Sequence, residues 1–497
     1  VLAAAAIPPL DEVRAERARR QFSVFVEDAW SIVEPAAPLI PGKHLDALTL
    51  HLQAVAEGAI RNLLINVPPG HSKSLVVSVL WPAWMWTRRP QRLEMGGPGW
   101  RCLAASYAAE LAIRDSVKCR ALIESDWYQR SFVADEWELA SDQNVKSFFQ
   151  NTRMGFRVSL SVGGKGTGFR GDAILVDDPL NAIDAHSKAA RDAVTLWWDQ
   201  QMGNRLNDLK KGARVVIMQR LHEEDLSGHL LRQGGWVHLC LPTEFEPKTR
   251  CKTPIWEDWR KEAGELLFPE LFPADIIAEE KRRLGSLGFA GQHQQRPSPP
   301  DGNLFLRSWW KRWHRAGDFV PEGVESRLLP DRFDELLLSV DAAFKATSDS
   351  DFVAIGAWGR VGPDKFLLDQ VRDRMGFTDT VKALLGVVAK FPGARAKLVE
   401  DKANGSAVID VLKKKVPGII PVNPEGGKES RAAAVSPEVE AGNVFIPLSA
   451  PWVSDYVEEC AAFPNGAHDD QVDQTTQALL RFMKRRGGLA SLEALAT

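Results

Sequence analysis

No CxxC pair occurs among the five cysteines of this 497-residue chain, and their number is odd. Cys102, Cys119, Cys240, Cys251 and Cys460 are scattered, which excludes a disulfide framework and a thiolate zinc site. Charge of one sign is also missing: 62 basic against 65 acidic residues leave a formal net charge of −3. Bulk charge therefore does not point to nucleic acid, and any DNA contact must come from local patches. Lys281-Arg282-Arg283, Lys413-Lys414-Lys415 and Lys484-Arg485-Arg486 are the candidates, although such short runs are commonly solvated helix faces. The longest strongly apolar stretch, Leu75 to Trp86, is too short to span a bilayer and contains Pro82. Val1 to Ala6 lack the cationic start of a secretory signal, so a cytoplasmic protein that does not engage a membrane is expected. Repeats and long low-complexity segments are absent as well.

What is present is 44% hydrophobic and 26% charged residues, the balance of a soluble globular chain long enough for two or three domains. From about Arg61 to Pro242, short apolar runs alternate with helix-like stretches. The runs 62–67, 101–106, 173–178, 214–218 and 237–241 read as buried strands, which predicts a parallel sheet covered on both faces. The pattern stops around Arg296 to Gly302, a linker by composition. The tryptophans Trp309, Trp310 and Trp313 that follow are candidates for docking one domain on the other. A second pattern starts near Leu336: three strands reading as a hairpin plus one, then alternating helices and strands, then a last helix near His468-Asp469-Asp470. That is an RNase H-like order, shared in part by other α/β folds. The expected division is 1–295, a linker at 296–334, a second domain at 335–484 and a tail at 485–497.

Asn66-Val67-Pro68-Pro69-Gly70-His71-Ser72-Lys73-Ser74 lies where a strand turns into a helix. A phosphate loop needs backbone N–H groups aimed at phosphates, a lysine for the β/γ charge and a hydroxyl for Mg²⁺. Lys73 and Ser74 supply the last two, while Val67 and Ser72 stand where the usual pattern has glycines. An ordinary strand–loop–helix corner would read the same way. A later strand, Ile174-Leu175-Val176-Asp177-Asp178-Pro179, ends in two carboxylates. Asp177 suits the metal side of a nucleotide site and Asp178 the polarising of an attacking water. A solvated Asp-Asp-Pro turn is the plainer alternative. The order of the two motifs, each on its expected element, favours an ATPase.

The second domain carries carboxylates that two-metal phosphodiester cleavage would use. Asp341 sits in a strand, where a charge needs a partner or ligand. Glu400-Asp401 close a later strand, and Asp470 and Asp473 lie one turn apart at the start of the last helix, beside Asp469. Taken singly, each reads equally as a cap or strand-end charge.

Three segments of the first domain, 68–74, 164–172 and 219–228, resemble the large subunit of tailed-phage terminases. So do 399–405, 428–431 with 442–447, and 468–473 in the second domain. The resemblance runs from about His44 to Phe482. It implies an α/β fold with an N-terminal P-loop (ASCE-type) ATPase domain and a C-terminal RNase H-like, RuvC-like nuclease domain. It implies ATP binding by Pro69, Gly70, His71, Ser72, Lys73 and Ser74, with Asp177 and Mg²⁺, and a coupling strand ending at Gln219-Arg220. Asp178 stands where related motors usually carry Glu. Arg114 and Arg170 are candidate arginine fingers, with a structural arginine as the plainer reading of each. Carried over residue by residue, Asp341, Glu400 and Asp470 become the ligands of Mg²⁺ or Mn²⁺, two ions, with Asp401, Asp469 and Asp473 as second choices. Lys428 and Arg431 are candidates for DNA phosphates or for a solvated helix face. The partners implied are double-stranded DNA, the portal protein of a procapsid, a small terminase subunit, and further copies forming a ring on the portal in the host cytoplasm. The alternatives are a helicase-like or repair ATPase fused to a RuvC-like nuclease, and a non-catalytic DNA-binding assembly protein.

Overall fold

The computed structural model describes residues 9–90, 94–133, 136–164, 168–182, 184–297, 304–342, 352–401, 409, 412–413, 416–464, 466 and 468–493. The chain divides into two compact units, Val1–Glu280 with Gly288–Ser298, and Lys281–Leu287 with Pro299–Thr497. Expectations placed on Lys165-Gly166-Thr167, on Ser298 to Gly302, on Lys402-Ala403-Asn404-Gly405 and on Lys414-Lys415 fall outside the described residues. Among the described residues, no helix is long and apolar enough to cross a membrane.

The first unit is built on eight strands: β1 (Asn62–Asn66), β2 (Arg101–Ser106), β3 (Leu139–Val145), β4 (Phe148–Asn151), β5 (Phe156–Ser161), β6 (Ala173–Asp177), β7 (Ala213–Met218) and β8 (Val237–Cys240). Their order is β3-β4-β5-β2-β6-β7-β1-β8. The stretch from β5 to β8 is parallel, and β3 and β4 extend it as an antiparallel edge. The apolar runs of β1, β6 and β7 are buried on both faces, as a parallel sheet under helices requires. Leu63, Ile65, Leu175, Val215 and Ile217 join one core, and Leu64, Ile174, Val176 and Val216 join the other. Because successive strand residues alternate in direction, one unbroken apolar run fills both layers. The apolar stretch after the loop is the helical segment Leu75–Leu80 with Trp81–Thr87, buried nearly all round. A two-stranded hairpin, β9 (Lys252–Thr253) with β10 (Trp256–Glu257), belongs to the same unit.

The second unit holds β11 (Lys311–His314), β12 (Ser326–Leu328), β13 (Glu335–Ala342), β14 (Phe352–Val361), β15 (Asp364–Arg374), β16 (Ala396–Glu400), β17 (Ile419–Val422) and β18 (Val444–Pro447). The sheet order is β12-β11-β18-β15-β14-β13-β16-β17. Within it, β15-β14-β13-β16-β17 is an RNase H-like sheet, with β13 to β15 antiparallel and β16 and β17 parallel to β13. One face carries the helix Phe377–Lys390 through Val381, Leu384 and Val387, and the other packs the helix Asp470–Glu493 through Val472, Leu479 and Phe482.

Part of the expected 296–334 linker is strand: β11 and β12 pair in parallel with each other, and β11 pairs with β18. The tryptophans there serve this unit's own core. Trp310 is buried 5.2 Å from the Tyr456 ring, and Trp313 Nε1 donates to the Leu367 carbonyl at 2.9 Å. The last helix also continues past residue 485, where a tail was expected.

Candidate active sites

In the first unit β7 lies between β1 and β6, so the C-terminal ends of these strands present three neighbouring loops at one sheet edge, where ligands bind in open α/β sheets. Asn66, the last residue of β1, pins that edge: its Nδ2 donates to the Met218 carbonyl and to Ser227 Oγ, both at 2.9 Å, and its Oδ1 contacts His238 Nε2 at 2.7 Å. The loop then turns through Gly70 at φ +77° and Ser72 at φ +56°. Gly70 answers a real need, because L side chains avoid that region. Ser72 adopts it with a side chain in place.

The loop, β6 and β7 enclose a cavity of about 570 Å³. Pro69, Gly70, Ser72, Lys73, Ser74, Asp177, Asp178 and Gln219 are among its lining residues. Trp30, Pro38, Ile40, Phe268 and Leu271 add apolar wall, and Glu34, Tyr107, Arg114 and Asp115 add further polar groups. Ser74 Oγ donates to Asp177 Oδ1 at 3.1 Å and Ser78 Oγ to Oδ2 at 2.8 Å. Burial, then the neighbouring Asp178 charge, pushes the Asp177 carboxyl well above the usual carboxylate range, while Lys73 and Ser78 pull it back. Asp178 has φ +41°, a region aspartate tolerates better than most residues. Its N–H donates to the Ile217 carbonyl at 2.9 Å, and its own carbonyl accepts from Tyr107 N at 3.2 Å. Gln219 N donates to Asp178 Oδ1 at 3.2 Å, and the Gln219 side-chain oxygen is buried with no hydrogen-bond partner among the described residues.

His71 and Arg220 stand outside the lining of this cavity. His71 is buried beneath the loop, its Nδ1 2.9 Å from the Pro69 carbonyl and its ring stacked on Phe272 with centroids 4.8 Å apart. Arg220 Nε reaches the buried Asp225 carboxylate at 3.0 Å, and Asp225 caps the helix Leu226–Gln233 through Gly228 N at 2.8 Å. Gly228 is required there, since a Cβ would sit 1.9 Å from the Glu223 carbonyl oxygen. Of the two arginine candidates, Arg114 lines the cavity and pairs with Asp115 at 2.9 Å. Arg170 donates to the Leu206 carbonyl at 2.7 Å. Ser78 and Asn66 escaped the sequence reading. A serine inside an apolar run and an asparagine ending a strand carry no signal until their partners are in place.

In the second unit the ladder of β13 and β16 sets Val340 opposite Val399. The next rung therefore brings Asp341 beside Glu400. Ser339, on the same face as Asp341, donates to the Gln474 carbonyl at 2.7 Å, and Gln477 Nε2 donates to Ser339 Oγ at 2.9 Å. These bonds lay the start of the last helix over the strand ends and bring Asp470 and Asp473 to the same corner. Asp341 is 7% exposed. Burial, then the charges of Asp473 and Glu400, pushes its carboxyl well above the usual range. Burial and Glu459 raise the Asp470 carboxyl to about 6, against the pull of Arg372.

Cations stand among these carboxylates. Lys428 Nζ is 2.7 Å from Asp469 Oδ1 and 2.7 Å from Asp473 Oδ2, and Arg431 Nη2 is 2.8 Å from Asp473 Oδ1. Arg372 Nη2 lies 2.9 Å from Glu459 Oε2 and 3.8 Å from Asp470 Oδ2. Among the described residues, no three acidic, histidine or cysteine side chains form a ready-made ion site in this arrangement. The donor set is nonetheless all carboxylate, which suits a hard divalent cation. Asp341, buried among like charges, is the kind of group such a cation would relieve.

Residues 338–482 match the family model described as the terminase RNase H-like domain. None of the curated proteins matches the chain. The large terminase of a thermophilic bacteriophage, solved in complex with ADP, aligns over 88% of this chain and 98% of its own, at 11% identity and a TM-score of 0.50. Another crystal form of that terminase covers 89% and 100%, at 10% identity and a TM-score of 0.50. The large terminase nuclease of thermophilic phage G20c with bound magnesium aligns over 36% of this chain and 98% of its own, at 14% identity and a TM-score of 0.27. The sheet orders and these alignments agree: residues 338–482 match the model of the terminase RNase H-like domain, in a chain that shares the fold of a phage large terminase.

Proposed function

We propose that this chain is the large subunit of a tailed-phage terminase, hydrolysing ATP to drive double-stranded DNA into a procapsid and cutting the concatemeric genome. The observation that carries the ATPase half is the cavity where Lys73, Ser74, Asp177, Asp178 and Gln219 meet. Loop amides and Lys73 would hold the β/γ-phosphates, and Ser74 with Asp177 would hold Mg²⁺. Asp178 would orient the attacking water. Gln219, bonded to Asp178 and with its amide oxygen unpartnered among the described residues, would carry the nucleotide state to β7. The bacteriophage terminase of similar fold was solved with ADP, which supports the reading. Arg114 is the better-placed arginine for the transition state in this unit.

The corner of Asp341, Glu400 and Asp470 would hold Mg²⁺ or Mn²⁺, which supplies charge neutralisation and an activated water for in-line cleavage. The strand-end positions of Asp341 and Glu400 would orient those carboxylates, and Asp470 at the start of the last helix would complete the set. Double-stranded DNA, a portal ring, a small terminase subunit and further copies of the chain are the partners this function requires, in the host cytoplasm. The deciding experiment supplies purified protein with ATP, procapsids and linear DNA and measures nuclease-protected DNA. Failure to package, with ATPase and cleavage intact, would leave two enzymes without the motor.

A further inference from the structure

Lys428 is the first residue of the helix Lys428–Glu440, where the helix dipole disfavours a positive charge. It is held there by carboxylates of another element, Asp469 and Asp473. Burial works against the Lys428 charge, yet those two carboxylates hold its pKa above the ordinary lysine value. Asp341 feels the same ammonium as an opposing charge. The two cations that meet Asp473 differ in kind. Arg431 is 7% exposed, bonded also to the Gly426 carbonyl, and fixed in the helix packing. Lys428 is 43% exposed, on a flexible stem. Asp473 would therefore remain paired if Lys428 left.

We propose that Lys428 is a displaceable counter-ion of the nuclease carboxylates: it occupies the cluster when no metal is present and competes with the first divalent ion. A DNA phosphate offers the ammonium another anion, so DNA binding would draw the lysine out and make metal loading depend on substrate. The inference rests on the metal-dependent reading of this corner. It adds to that reading a reason for a nuclease to stay unloaded away from DNA.

The test is calorimetric titration of Mn²⁺ into the nucleotide-free full chain, comparing wild type with Lys428→Met, Lys428→Arg and Asp341→Asn. Lys428→Met should bind Mn²⁺ about tenfold more tightly, the size expected for removing a nearby like charge at a partly exposed site. Lys428→Arg should stay close to wild type. Thermal melting checks folding: without metal Lys428→Met should melt below wild type, and Mn²⁺ should raise it by more. With Ca²⁺ and a short DNA duplex, the gap between wild type and Lys428→Met should shrink to within about twofold. Unchanged Mn²⁺ affinity in Lys428→Met, while Asp341→Asn loses binding, would overturn the counter-ion and leave the metal site standing. A gap that persists in the presence of DNA would overturn the coupling to substrate. Wild-type binding that Asp341→Asn does not reduce would remove the metal site itself, and the counter-ion with it.

Discussion

Lys73 Nζ stands 3.2 Å from each carboxylate oxygen of Asp178. The two groups proposed to act on opposite sides of the γ-phosphate are thus paired with each other, and ATP bound as proposed would have to separate them.

Lys73→Ala should therefore abolish ATP turnover and leave metal-dependent cleavage of plasmid DNA largely intact, because the carboxylates of the second unit are fixed by other elements. ATPase and nuclease assays on one preparation check this. Parallel loss of both activities in a folded variant would refute two independent sites.

Asp178→Asn keeps the shape and the bond from Gln219 N while removing the charge that orients water. It should bind ATP within a few-fold of wild type and hydrolyse it at least about a hundredfold more slowly. Unchanged turnover, with Asp177→Asn inactive, would transfer the catalytic role elsewhere.

Ser78→Ala tests the bond that restrains the Asp177 carboxyl. Ser78 lowers that pKa, so its removal should raise it and move the acidic limb of kcat/KM for ATP upward, by up to about one pH unit. The sign follows from the need for an ionised Asp177 at Mg²⁺. A limb that stays put, or moves to lower pH, would deny Asp177 that part.

The histidines under the phosphate loop set an acid limit on stability. Burial lowers His44 to about 3 and His71 to about 4. Both stay neutral in the folded chain while the unfolded chain takes up protons below about pH 6.5. Their stabilising effect is complete above that pH and is lost as pH falls toward 4, by at most about 1.4 kcal/mol per pH unit for each. Asp177, raised by burial, pulls the other way over part of this range. The comparison must therefore be between variants. Urea melts at pH 7.5 and 5.5 should lose less stability in His44→Phe than in wild type. Equal losses would show that His44 already titrates normally.

Asp341→Asn should melt a few degrees higher than wild type in EDTA, since burial among Asp473 and Glu400 disfavours the Asp341 charge. It should gain nothing from Mn²⁺ and should not cleave. Lower metal-free stability, or retained cleavage, would make Asp341 a structural partner.

The two sheets were legible wherever an apolar run is long enough to fill two layers, as at Leu63 to Ile65 or Ile174 to Val176. Asp341 stands out because a charge inside such a run needs a partner, and the two aspartates after Val176 stand out because a strand that ends in two carboxylates suits a nucleotide-bound metal. Three kinds of feature were hidden. β11 and β12 are short and partly exposed, and they gain strand form only from pairing toward β18, more than a hundred residues later. Ser78 and Asn66 look ordinary until their partners appear. Lys428 read as a phosphate contact or a solvated helix face, because nothing local shows that Asp469 and Asp473 lie across from it. The structure brings Lys73, Ser74, Asp177, Asp178 and Gln219 to one cavity and leaves His71 and Arg220 outside its lining, a distinction of side-chain direction that a linear motif does not carry.

The strands added beyond β15 bear on where a fragment of the second unit can be cut. β11 and β12 belong to the sheet although they precede its RNase H-like core, and β18 is flanked by β11 on one side and β15 on the other. A nuclease fragment begun at Phe333 would keep every candidate metal ligand but leave β18 as a bare edge, with unpaired backbone groups and Phe445 and Ile446 near an open border. Such an edge recruits another chain. That fragment should self-associate, whereas one begun at Leu304 should remain monomeric.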